Sequence, residues 1–122
     1  MDYEHMCPRY EKAAEILGRK WTTLIIRILL GGKKRFVEFR EQIPQVSDRL
    51  LSERLKALEA EGIVTRRVCP TKPVRVEYEL TEKGRALEPV VKAIQAWAEQ
   101  YCDPEPRQPP SSGQADAGGS PS

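Results

Sequence analysis

The sequence predicts a mainly α domain carrying a small two-stranded antiparallel β hairpin, and three observations predict it. The stretch from Lys20 to Leu30 contains WTTLIIRILL, apolar nearly all round, as the buried centre of a small core must be. Residues 47–61, SDRLLSERLKALEAE, place Leu51, Leu55 and Leu58 on one stripe of a helix, with Arg49, Ser52, Glu53 and Lys56 on the other side. Beyond Gly62, two runs of alternating apolar and polar residues flank a basic, proline-bearing loop. A short helix and a tight turn precede residues 47–61, so the order is helix, turn, helix, two-stranded wing. That is a winged helix-turn-helix, here with N- and C-terminal helices placed for dimerisation.

Each element follows from local chemistry. Pro8 biases Cys7 away from the helical region. From Arg9 to Leu17, Tyr10, Ala13, Ala14 and Leu17 recur at helical spacing, and Gly18 ends that helix. Gly31 and Gly32 stop the apolar helix. Lys33, Lys34 and Arg35 form a basic turn, either solvated or in contact with phosphate. Phe36, Phe39 and Ile43 mark a third short helix that ends before Pro44, and Pro44-Gln45-Val46 turn the chain into the next. Ser47 is a natural N-cap with Asp48 in the first turn, and Gly62 a natural stop.

Ile63 to Cys69 reads as a strand with Val64 and Val68 on one face and Thr65 and Arg67 on the other. Val76, Tyr78 and Leu80 alternate with Glu77 and Glu79 in a second strand. Pro70 and Pro73 stiffen the loop between them, and Lys72 and Arg75 can project from it. Thr81 is a good N-cap for a single last helix, weakened at its start by Gly84 and expected to bend near Pro89. Leu87, Val90, Ile94, Trp97 and Tyr101 step by 3, 4, 3 and 4 residues, a heptad-like seam, with Val91 beside it. Such a seam either covers its own core or pairs with a second copy. Dimerisation is the expectation, because a small DNA reader gains affinity by pairing.

The composition sets limits. A chain of 122 residues is one domain by size. Residues 1–102 hold 19 Lys+Arg against 15 Asp+Glu, a net +4 compatible with nucleic acid, whereas residues 103–122 hold one Arg and three acids. Residues 1–102 are read as the DNA-binding domain with its dimerisation helix. Residues 103–122 contain five of the ten prolines and no large aliphatic or aromatic side chain, the composition of a disordered tail. No run of 18 apolar residues and no signal peptide is evident, so the expected location is the cytoplasm, at the nucleoid. Three separated cysteines without a C-x-x-C pair, and a single His, give no structural zinc pattern, and no metal or cofactor is expected. There is no nucleotide-binding loop and no Ser-His-Asp set, so no catalytic residue is assigned.

The combination CP…ILGRKW…RILLGGKKRFVEFREQIPQVSDRLLSERLKALEAEGIVTRR…P-V-RVEYELTEKGRAL resembles the HxlR family of bacterial winged-helix transcription regulators, relatives of the MarR group. It covers residues 7 to 101. The resemblance implies a homodimer that binds operator DNA. Three positions depart from the family pattern: Arg19 in place of a second glycine, Val37 where Ser or Thr is common, and Cys69 where an aromatic is common.

On this reading the helix from Ser47 enters a major groove of double-stranded DNA. Arg49 is the first candidate for reading guanine, with Ser52 and Lys56 reaching base edges or phosphates. Glu53 either accepts from a cytosine amino group or orients a neighbouring Arg. The Ser47 end offers backbone N–H groups to a phosphate. Lys72 and Arg75 meet the DNA backbone or the adjacent minor groove, the alternative for Arg75 being an ion pair with a wing glutamate. Some family members sense oxidants or electrophiles through a cysteine placed like Cys7. If the terminal helices of two copies meet, Cys7 of one could approach Cys102 of the other. Cys69 is a weaker candidate. The rival expectation is a small-molecule effector held between the core and the dimer helices, with Tyr10, Trp21 and Trp97 as candidate lining. A winged helix used only for protein contact is the remaining alternative.

Overall fold

The computed structural model describes residues 1–104; the expected tail lies outside the described residues from 105 onward. The helices are α1 (Pro8–Leu17), α2 (Thr22–Leu30), α3 (Phe36–Gln42), α4 (Asp48–Ala60), α5 (Glu82–Arg85) and α6 (Glu88–Tyr101), and the strands β1 (Lys34–Arg35), β2 (Val64–Cys69) and β3 (Arg75–Leu80). The sheet is antiparallel in the order β1-β3-β2. The expected mainly α fold with a β wing is present, and its sheet gains a third strand where a basic turn was expected. Lys34 lies opposite Tyr78 and Arg35 opposite Glu77, so β1 covers the β3 edge that the hairpin alone leaves open.

The apolar segment is the spine of the core. Ile25, Ile26, Ile28 and Leu29 of α2 are buried, and α2 touches α1, α3, α6 and β3. The same cluster takes Phe39, Ile43 and Val46, the leucines of α4, Ile63 and Val64, and Tyr78 and Leu80. Phe39 meets Tyr78 edge to face at 6.1 Å between ring centroids, tying α3 to the sheet. α2 starts two residues later than expected, because Trp21 occupies the left-handed region at φ 77°. That backbone costs about 1–2 kcal/mol in a residue with a Cβ. It lets the indole pack against the core while Lys20 Nζ lies 5.3 Å from its centroid.

The expected single last helix is two. α5 closes at Ala86, and α6 begins after Leu87 with Pro89 in its first turn, where a missing N–H does no harm. The break therefore precedes the proline. Gly84 is there for room: it is buried, and a Cβ added to it would collide with the Ile63 carbonyl oxygen and come within 2.9 Å of Leu80 Cδ2. Thr81 fixes the same corner. Its Oγ1 accepts from Gly84 N–H at 3.1 Å and donates to the Gly62 carbonyl at 2.6 Å.

Gly84→Ala is expected to destabilise the domain by about 1–3 kcal/mol through this overpacking. Urea denaturation followed by circular dichroism measures it, and a midpoint equal to wild type would refute the close-approach account.

Candidate nucleic-acid interface

The helix-turn-helix is α3 and α4. Between them Ile43 and Val46 point inward, 5% and 4% exposed, and the Val46 N–H closes the turn on the Ile43 carbonyl at 3.1 Å. Ser47 caps α4, its Oγ accepting from Leu50 N–H at 3.1 Å. Arg40 Nε lies 3.0 Å from Asp48 Oδ1, linking α3 to the first turn of α4. Arg54 Nε donates to the Lys20 carbonyl at 2.8 Å and ties α4 to the segment before α2. Leu51, Leu55 and Leu58 are buried, so the rotation of α4 about its own axis is fixed.

The opposite side of α4 faces solvent. Arg49, Glu53 and Lys56 are exposed and Ser52 is half-buried. Arg49 Nε is 3.4 Å from Glu53 Oε2, one helical turn on, although the Arg side chain remains 89% exposed. Of the two expectations for Glu53, the one in which it sits beside an arginine corresponds to this contact. An exposed pair of this kind contributes little stability.

Cys69 pairs with Arg75, leaving Pro70–Val74 as the tip of the wing. The Lys72–Pro73 peptide bond is cis, and Thr71 Oγ1 donates to the Pro73 carbonyl at 2.6 Å across the tip. Lys72 and Arg75 are exposed, and neither makes an ion pair among the described residues. The ion pair considered for Arg75 is made by Arg67 instead, 3.5 Å from Glu79, while Glu77 takes Lys33 at 3.6 Å. Val68, expected on the same face as Val64, is 49% exposed near the hairpin tip, whereas Val64 is buried. Sequence reasoning passed over Arg40 and Arg54. Their signal was weak, since each partner lies outside its own helix.

Cys7 is exposed as the residue before α1, Cys102 is exposed as the residue after α6, and both are free thiols. Cys69 is half-buried, with Sγ 3.7 Å from Glu77 Oε1. Along α6 the seam divides. Leu87 and Val91 pack against the domain's own core, whereas Val90, Ile94, Trp97 and Tyr101 are 40%, 49%, 61% and 65% exposed. Trp97 and Tyr101 lie 5.4 Å apart. The cleft between α2 and α6 is lined by Leu24, Arg27, Val91 and Ile94 among others, and by none of Tyr10, Trp21 and Trp97. Trp21 is spent on the core, and Tyr10 and Trp97 stand on the surface.

A capped, leucine-anchored helix with a polar outer face, followed by a cationic wing, defines a winged-helix DNA-binding protein. Residues 16–106 match the HxlR-like helix-turn-helix family, and the chain belongs to that family. It is 52% identical over 99 residues to the HTH-type transcriptional regulator YodB of Bacillus subtilis (strain 168), across 81% of this chain and 88% of YodB. It is 51% identical over 104 residues to the HTH-type regulator YvaP of the same strain, across 85% of this chain and 96% of YvaP. The fold matches the reduced form of YodB with a TM-score of 0.72 at 51% identity, covering 84% of this chain and 100% of that one. Diamide-treated YodB matches at 0.68 (51% identity, 83% and 100% covered) and quinone-bound YodB at 0.69 (49%, 79% and 100%). The redox regulator HypR in its oxidised form matches at 0.75 and 43% identity, across 80% of this chain and 99% of that one. The chain is therefore a DNA-binding transcriptional regulator and not an enzyme.

Because the Ser47 hydroxyl satisfies one of the orphan N–H groups of α4, Ser47→Ala is expected to cost about 1 kcal/mol. Thermal denaturation reads this as a lowered melting temperature, and an unchanged one would show that the cap contributes nothing.

Proposed function

We propose that two copies pair through the exposed α6 seam and read a palindromic operator, each inserting residues 47–61 into a major groove. Arg49, held by Glu53, reads a guanine; Ser52 and Lys56 reach neighbouring edges or phosphates. The N–H groups at the Ser47 end take a phosphate. Lys72 and Arg75 carry the wing to the DNA backbone or the adjacent minor groove. The observation that carries this reading is the α4 outer face: its one guanidinium is almost fully exposed and directed by a carboxylate one turn away. Four large apolar side chains on α6 that stay 40–65% exposed in one copy support pairing. The working place of such a protein is the cytoplasm, at the nucleoid.

The proposed switch is thiol chemistry. Cys7 and Cys102 are both exposed and free, at the ends of the two terminal helices. YodB has been captured reduced, diamide-treated and quinone-bound, and HypR reduced and oxidised, which supports a similar sensitivity here. With diamide, Cys7 of one copy and Cys102 of the other would lose two protons and two electrons to the N=N bond. A disulfide and a hydrazine form, and the distance between the two α4 helices shifts. A second reading, an effector held without a covalent bond, is favoured by the mostly apolar α2–α6 cleft.

Arg49→Ala is expected to narrow the gap between operator and random DNA, because one bidentate contact is worth about 1–3 kcal/mol of discrimination. Lys72→Ala is expected to weaken all sequences alike and lower the slope of log affinity against log salt by about one unit. Fluorescence anisotropy on both DNAs tests these roles, and equal losses for Arg49→Ala would remove it as the reader. A gel shift against the DNA flanking its own gene, with and without diamide, tests the switch. Release that disappears in Cys7→Ser supports it, release that persists there moves the switch to Cys69 or Cys102 and overturns the Cys7–Cys102 bridge, and absence of any response ends the thiol account.

A further inference from the structure

A second, smaller cleft lies between α1, the corner before α2, and the C-terminal half of α4. Its volume is about 90 Å³, room for a few heavy atoms. Three cations line it, Lys12, Arg19 and Arg54, against two carboxylates, Glu15 and Glu61. Lys12 is already engaged, 3.4 Å from Glu61 and 4.0 Å from Glu15. Arg54 spends its Nε–H on the Lys20 carbonyl and makes no other polar contact among the described residues. Arg19 makes no side-chain hydrogen bond or ion pair among them.

Thr22 supplies an independent observation. It lines the same cleft, is 2% exposed, and is the one polar side chain in the buried set of the described residues. Its hydroxyl has no protein partner among them. A buried hydroxyl left unpaired costs about 1–3 kcal/mol, so such groups are found with a partner. Thr22 is also the first residue of α2, where the helix end favours negative charge. With Glu15 and Glu61 both facing Lys12, the cations without a carboxylate partner in this cleft are the two guanidinium groups, beside the Thr22 hydroxyl.

We propose that this cleft binds one phosphate-sized oxyanion, held by the Thr22 hydroxyl, the Arg19 guanidinium and the free Nη–H groups of Arg54. The anion braces the corner before α2 against α4 and so reports on the placement of the reading helix. Its source is either free inorganic phosphate or a phosphate of bound duplex DNA, and the two are separable. The site needs neither the operator nor a cysteine, so its failure and the failure of the regulatory reading are distinct events.

The test titrates the full chain with inorganic phosphate at constant ionic strength, against chloride, by isothermal calorimetry and melting temperature. Wild type is expected to show saturable binding and a rise in melting temperature of a few degrees. Arg19→Ala, on the surface, and the near-isosteric Thr22→Val are expected to weaken it about tenfold each, with circular dichroism unchanged. In parallel, the salt slope on non-specific duplex DNA is measured for Arg19→Ala. An unchanged slope with saturable phosphate binding identifies the free ion. A slope reduced by about one, with Thr22→Val also weakening DNA, identifies the backbone phosphate. The proposal is overturned if phosphate acts no differently from chloride and the slope does not move, or if both variants bind phosphate as wild type does.

Discussion

The seating of α4 on the shared apolar core is the constraint on which everything else depends. Leu51, Leu55 and Leu58 are 0%, 1% and 2% exposed, in one cluster with the isoleucines of α2. Each such side chain contributes roughly 1.5–3 kcal/mol by leaving water. Turning α4 by half a turn would expose them and bury Arg49, Glu53 and Lys56 in their place, a cost of several kcal/mol for unpaired charges. The outward direction of Arg49 is thus a consequence of packing on the other side of the helix. The polar ties, from Ser47 and Arg40 at its start and Arg54 at its middle, fix its position along the core rather than its rotation.

The wing is held by a different device. β3 sits between β1 and β2, and the corner that starts α5 is pinned by Thr81 to the carbonyl of Gly62, the residue that ends α4. Lys83 adds a bond from its Nζ to the Glu61 carbonyl at 2.6 Å. The end of the reading helix and the root of the wing therefore share one hydrogen-bonded joint. A rigid relation between helix and wing is what lets two contacts from one domain fall in register with the repeat of a duplex.

The α6 surface shows the opposite economy. Leu87 and Val91 complete the domain's own core, whereas Ile94, Trp97 and Tyr101 further along the helix remain about half exposed or more. A seam of period near 3.5 drifts slowly around an α-helix, so one seam can serve an internal contact at its start and an external one further on. That division places Ile94, Trp97 and Tyr101, and Cys102 after them, in the half of α6 away from the core contact.

How much of this was readable in advance follows from which interactions are local. Helix 48–60 with its Ser47 cap, the α3 turn, both wing strands and the outward set Arg49, Glu53 and Lys56 follow from periodicity, capping and turn chemistry within a few residues of chain. The family pattern was legible for the same reason, because those local signals recur at fixed spacing. Only the tertiary structure decided the rest. β1 exists because β3 offers it an edge; Trp21 takes a left-handed backbone because the core accepts its ring. Gly84 is small because Ile63 lies against it, and the expected last helix divides before Pro89 where α5 must meet the sheet. Arg67 rather than Arg75 takes a glutamate, and Thr22, Arg19 and Arg54 come together from α2, the corner before it and α4. Each depends on groups distant in the chain, whose approach is set by burial of the whole core and by no pattern within a single segment.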